Sequence, residues 1–209
     1  TEGYGSYLIP AVMMIIIFQT LLMVIGMVTG EEYSSDGIRT YAPFGHTWAA
    51  AIRIVAGKAF VYCGLYAIFS FFLLGLLPYF FSIPNIGNGL YIVLLMIPYL
   101  IATSFLGLAA SRYFTDSEAP LLMIAFFSVG LIFLSGVSYP MELMPWYWKA
   151  AHYILPAAPA TLAFVQLNSM GASMADIRPE YITLWIQVLV YFILSIWVYQ
   201  KKLQKSQLR

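Results

Sequence analysis

Residues 90–110 read LYIVLLMIPYLIATSFLGLAA, twenty-one positions without a charged side chain. At 1.5 Å rise per residue a helix over this stretch is about 31 Å long, enough to cross a hydrocarbon core about 30 Å thick. In lipid every backbone N–H and C=O must be paired within the segment, and an open strand leaves its edges unpaired, so only a helix is tolerable there. Four more uncharged stretches have the same character: Tyr7 to Thr29, Ala59 to Phe81, Pro120 to Tyr139 and Tyr181 to Tyr199. Barrel-type alternation is absent. The whole chain of 209 residues is 62% hydrophobic and 9% charged, against about 25% charged in soluble domains, which excludes a water-soluble fold. The expected class is an all-α integral membrane protein with five transmembrane helices.

Orientation follows from the basic residues. Alternating connections place Arg39, Arg53, Lys58, Arg112, Lys201, Lys202, Lys205 and Arg209 on one side, and Lys149 and Arg178 on the other. The positive-inside bias makes the first side cytoplasmic. A multi-pass protein of the cytoplasmic membrane is expected, with its amino end outside and its carboxyl end inside. Ala150 to Leu167 is also apolar, but it carries His152 and Gln166 and is broken by Pro156 and Pro159. If it crossed, either the Lys201 to Arg209 tail or the Arg39 to Lys58 group would move outside. Met141 to Leu167 is therefore expected to form an extracytoplasmic re-entrant helical hairpin, non-helical at Pro156 to Pro159, with Trp146, Tyr147 and Trp148 at the outer headgroup level. Glu31 to Ala50 differs in kind. It holds Glu31, Glu32, Asp36, Arg39, Pro43, Gly45 and His46 before Trp48 and three alanines, and is expected to lie along the cytoplasmic surface as an amphipathic element. The chain opens Thr1-Glu2-Gly3, without an initiating methionine or a basic leader, and reads as a fragment without a signal peptide.

Residues that could carry chemistry are few. Ser135-Gly136 with His152 suggests a serine hydrolase, but the rhomboid-type pattern needs glycine two positions before the serine, and Phe133 stands there. Ser128, Gly130, Ser135 and Gly136 read instead as a small-residue notch on one helix. His46 and His152 fall on opposite sides, and neither has a carboxylate at helical spacing, so no metal site is expected; His152 reads as an interfacial polar residue. Ion channels and proton-coupled carriers usually bear ionisable groups at depth. The five runs have none, and Gln19, Gln187 and several hydroxyl residues read as interhelical hydrogen-bonding groups. No GxxxxGK[ST] phosphate loop occurs, so ATP is not bound by that route. The single cysteine, Cys63, permits no intrachain disulfide and reads as a small apolar residue. Net charge +1 leaves no concentrated basic face for nucleic acid.

Residues 134–146 read LSGVSYPMELMPW, and Leu155-Pro156-Ala157-Ala158-Pro159 follows. This resembles the signature of ABC-2 type permeases, in which a small-residue exit and a Pro-x-Glu-x-Met-Pro run lead into a re-entrant hairpin before the last span. The positions carrying it are Ser135, Gly136, Pro140, Glu142, Met144, Pro145, Pro156 and Pro159. A second resemblance runs from Glu31-Glu32 through Gly37 and Pro43 to Lys58, similar to that family's cytoplasmic coupling segment. Here Gly37 is followed by Ile38, with Thr40 three positions after Gly37, where the family usually has a Gly-Thr pair.

The resemblance implies a coupling role for Glu31, Glu32, Gly37, Tyr41, Pro43, Phe44 and Trp48. It makes residues 1–209 spans two to six of a six-span domain. It implies an exporter half that pairs with a second permease copy, identical or related, and is driven by cytoplasmic ABC ATPase subunits holding ATP and Mg. The permease itself would be no enzyme and carry no cofactor. The implied cargo is hydrophobic or amphipathic: a drug, a lipid or a lipid-linked glycan. The alternative is a membrane assembly or scaffold protein that transports nothing.

Overall fold

The computed structural model describes residues 4–34, 47–81, 86–111, 113, 130–139 and 141–206. Among these the regular structure is helical: α1 (Tyr4–Ser34), α2 (Trp48–Phe71), α3 (Gly89–Ala110), α4 (Trp146–His152), α5 (Ala157–Met170) and α6 (Arg178–Ser206). Residues 130–134 are helical too, and Met141–Leu143 make a 3₁₀ turn. Among the described residues four helices are long and apolar enough to cross a membrane, over Leu8–Glu32, Trp48–Phe80, Gly89–Ala110 and Arg178–Gln204. The count becomes five if α4 and α5, bent by 83° at their junction, form one broken span. The expected span from Pro120 to Tyr139 is described only from residue 130 onward.

Two helix boundaries differ from expectation, both at the Glu31 to Ala50 element. Helix α1 runs through Glu31 and Glu32 to Ser34. Helix α2 begins at Trp48, where Thr47, in an extended conformation, accepts the Ala50 N–H on its side chain, an N-cap that satisfies one orphan donor. Trp48 to Ala50 and Lys58 thus belong to the same continuous helix as the apolar run from Ala59. No proline or unfavourable turn separates the polar turn from the apolar one, so helix propagation, which adds a hydrogen bond per residue, carries on. Gly37, Tyr41, Pro43 and Phe44 lie outside the described residues.

After Phe71 the α2 backbone widens into a π-turn (Phe72–Leu76) and closes with Leu77–Phe80. Pro78 is the cause: it has no N–H for the Leu74 carbonyl, and its ring would strike that carbonyl in a regular helix. The Leu77 N–H bonds to Phe72 O instead, one residue further back than in an α-helix. An apolar groove of 620 Å³ opens between α2 and α3 beside this turn. Cys63 lines it, its Sγ 3.5 Å from Ser104 Oγ.

Helix α3 lies at the centre, packed against α1, α2, α5 and α6. Its Tyr99 is fully buried and donates to Met14 O at 2.6 Å. Gly107 lets Ile25 of α1 approach so closely that a Cβ would sit 2.9 Å from Ile25 Cδ1. Between apolar helices in lipid, such dispersion contacts and hydrogen bonds replace the hydrophobic drive. By contrast α2 turns Phe60, Ile68 and Phe71 outward.

At the other end the 86–88 turn rests on α5. The Ile86 N–H donates to Asn168 O at 3.1 Å, and a Cβ on Gly87 would lie 2.6 Å from Leu167 O. Gly87→Ala is expected to lower stability by roughly 1–3 kcal/mol, the usual penalty of overpacking. Gly64→Ala, whose Cβ meets nothing within 4 Å, serves as the neutral control. Thermal unfolding of both variants in detergent measures the difference. Between α5 and α6, Asp176 Oδ2 accepts the Ser173 N–H and O–H, both at 2.8 Å. These bonds favour the carboxylate and hold its pKa below the ordinary value.

Candidate functional site: two polar anchors on the last helix

Gln187, Tyr191, Ser195, Tyr199 and Lys202 follow one another on α6 at spacings of four, four, four and three, which places them on one face. The first four are buried and Lys202 is half-buried. Amides, hydroxyls and an ammonium inside a membrane bundle are costly unless each finds a partner. Four of the five bond to other elements in two groups, Ser195 bonds within α6 to Phe192 O, and Gln187 Oε1 is left buried without a partner.

The first group meets the junction of α4 and α5. Helix α4 ends at His152, and the carbonyls of the next two residues, Tyr153 and Ile154, are bonded by side chains of α6. Gln187 Nε2 donates to Tyr153 O at 2.8 Å, and the Tyr191 hydroxyl donates to Ile154 O. A third bond ties the junction to the preceding segment. His152, 1% exposed, places Nδ1 2.8 Å from Leu134 O, the last helical residue of 130–134. A carbonyl can only accept, so Nδ1 carries the proton. Ser135 Oγ donates back to Ile132 O at 2.7 Å, and Gly136 turns the chain with φ +81°, a conformation that glycine adopts without Cβ strain.

Three expectations change here. The non-helical break covers residues 153–156, and Pro159 sits inside the first turn of α5, where a missing N–H breaks no helical bond. His152 is a buried anchor and not an interfacial residue. Ser135 and Gly136 stand in the turn beyond the helix, so they do not share a helical notch with Gly130; Ser128 lies outside the described residues. Of the signature positions, Met144 is buried, Pro145 is the exposed N-cap of α4, and Pro156 is the buried N-cap of α5. Pro140 and the Glu142 side chain lie outside the described residues. Trp146, Tyr147 and Trp148 are exposed.

The second group joins four helices at the other end of the stripe. Lys58 Nζ of α2 lies 2.7 and 2.5 Å from Oε1 and Oε2 of Glu32 on α1, and donates to the Tyr199 hydroxyl at 3.2 Å. Lys202 Nζ donates to Ser111 Oγ at 2.9 Å and to Ser111 O at 3.3 Å. Ser111 caps the C-terminus of α3, whose dipole presents partial negative charge to the ammonium. The two ammonium groups stand 5.3 and 5.0 Å from the centroid of the Tyr199 ring, within cation–π range.

Glu32 and Lys58 both fall in the stretch that resembles the family's coupling segment; their pairing was not legible in the sequence. Tyr199, Lys202 and Ser111 were missed because Lys202 reads as part of a charged stop after the last span. The four-residue spacing from Gln187 to Tyr199 was the signal that could have found them. Glu31 and Trp48 are exposed. No cluster of three or more potential metal ligands occurs among the described residues.

A bundle of four to five long apolar helices with a sharply bent helical pair is a multi-pass membrane protein. The family model for "ABC-2 family transporter protein" matches residues 1–197, and the chain belongs to this family of membrane permeases. No curated protein matches it.

Proposed function

We propose that the chain is the permease part of an ATP-driven exporter moving a hydrophobic or amphipathic molecule, paired with a second permease copy and powered by a separate cytoplasmic ABC ATPase. The observation that carries this reading is the Glu32–Lys58 ion pair. It joins the two helices that flank residues 35–46, so a push on either helix there is shared by the other. Family membership supports the same reading, as does the lack of a phosphate loop in the sequence. Co-purification of the full-length protein with an ABC ATPase, and ATP-dependent efflux of a hydrophobic dye from reconstituted vesicles, test it. Intact membrane insertion with neither result would favour the scaffold alternative.

Within this reading Glu31 to Ala50 is the surface that the ATPase presses, with Tyr41, Phe44 and Trp48 as anchors, since aromatic residues often dominate interface energy. Tyr41→Ala or Phe44→Ala is expected to weaken ATPase association about tenfold or more, the effect of a lost contact worth ~1.4 kcal/mol. Membrane insertion should be unaffected. The proposed topology has five spans, the α4–α5 pair entering from outside and returning. Single cysteines at Ser35 and Ser206 should then react only from the cytoplasmic side, and one at Asn88 only from outside. Outside labelling at Ser206 would overturn the five-span count.

A further inference from the structure

We propose that α6 is the element that carries motion from the Glu32–Lys58 pair, which joins α1 to α2, to the α4–α5 hairpin; this rests on the permease reading above. The observation is a single buried polar face with an attachment at each end. Tyr199 is bonded to Lys58, which holds Glu32, and so α6 is tied to α1 and α2 through one ion pair and one hydrogen bond. Lys202 ties the same end of α6 to the C-cap of α3. Eight residues away, Tyr191 holds Ile154 O, and one turn further Gln187 holds Tyr153 O. Tyr191 to Tyr199 is about 12 Å of uninterrupted helix.

A helix with its backbone bonds intact is stiff over two turns, so displacement at Tyr199 must reappear at Tyr191. The receiving end is suited to move. At residues 153–156 the helix is interrupted by turns, and the carbonyls of Tyr153 and Ile154 are held by α6 side chains. A shift of α6 therefore pulls directly on the hinge between α4 and α5. Ser195, between the two attachments, bonds only to its own helix at Phe192 O, leaving the middle of the stripe unlatched by its hydroxyl.

Spatial continuity alone does not establish coupling; a double-mutant cycle does. The full-length permease with its ATPase is reconstituted with spin labels at Leu90→Cys on α3 and Trp148→Cys on α4, in a Cys63→Ser background. Both labelled positions are exposed. The interlabel distance is measured without nucleotide and after trapping with MgATP and vanadate. A nucleotide-dependent shift is expected in the parent. It should be lost in Lys58→Gln and in Tyr191→Phe, be no further reduced in the double variant, and return in the charge-swapped Glu32→Lys, Lys58→Glu pair, which also shows that loss in Lys58→Gln is not misfolding. ATPase association should persist in Lys58→Gln and in Tyr191→Phe. A shift that survives both single variants, or that declines additively, overturns the inference, as does a parent with bound ATPase and no shift. A parent that fails to bind any ABC ATPase would sink the permease reading itself.

Discussion

Lys58→Met is expected to destabilise the bundle by roughly 2–4 kcal/mol, one of the two largest effects foreseen for a single substitution. Removing one partner of a buried pair typically costs 3–5 kcal/mol because the other charge is left uncompensated. Here the side chains retain 14% and 25% exposure, so water recovers part of that cost. The Tyr199 hydroxyl loses its cationic partner as well. The pair as a whole is worth far less than its breakage suggests, since replacing both ions by apolar residues is often neutral. Lys58→Met combined with Glu32→Leu should therefore recover most of the lost stability while leaving α1 and α2 unlatched at this point. Thermal unfolding in detergent measures both variants. A double variant as unstable as Lys58→Met would show that the loss is one of packing around Lys58 and not of charge.

His152→Ala is the second large effect, expected at roughly 3 kcal/mol. The ring is almost fully buried, so truncation opens a cavity, and core truncations of aromatic rings generally cost 3–5 kcal/mol. It also strands the Leu134 carbonyl, which accepts from Nδ1. His152→Phe keeps most of the volume but not the bond, and should cost about 1 kcal/mol, in line with the 0.6–1.7 kcal/mol found for hydrogen bonds between membrane helices. Tyr191→Phe should fall in the same range, since it too deletes a bond and spares the packing. If His152→Phe proved as damaging as His152→Ala, hydrogen bonding and not packing would be what secures the hairpin to residues 130–134.

Much of the architecture could be read before any coordinates. Residues 90–110 announced a helix because twenty-one uncharged positions in lipid leave the backbone no other way to satisfy itself, and the structure has a helix over Gly89–Ala110. Pro156 and its neighbours marked a break between two short helices for an equally local reason. Prolines also misled. Pro159 was read as part of the break, yet at the third position of α5 it costs nothing, because the first turn of a helix has no acceptor for that N–H. The second span was expected to begin at Ala59 because the uncharged run begins there, and local composition does not reveal that Lys58 will meet a glutamate twenty-six residues away on another helix.

What the sequence determined by itself, then, was the solvent: long uncharged runs demand lipid and helix, and their number bounds the bundle. Which polar side chains meet was decided by the tertiary structure alone. Gln187 and Tyr191 become anchors because the turn that follows α4 presents the Tyr153 and Ile154 carbonyls beside them. His152 becomes a cap because the segment ending at Leu134 stops within reach of its ring. Hydrogen bonds and ion pairs act over about 3 Å, whereas the partners here stand 18 to 141 residues apart in sequence, and only the packing of the helices brings them within that range.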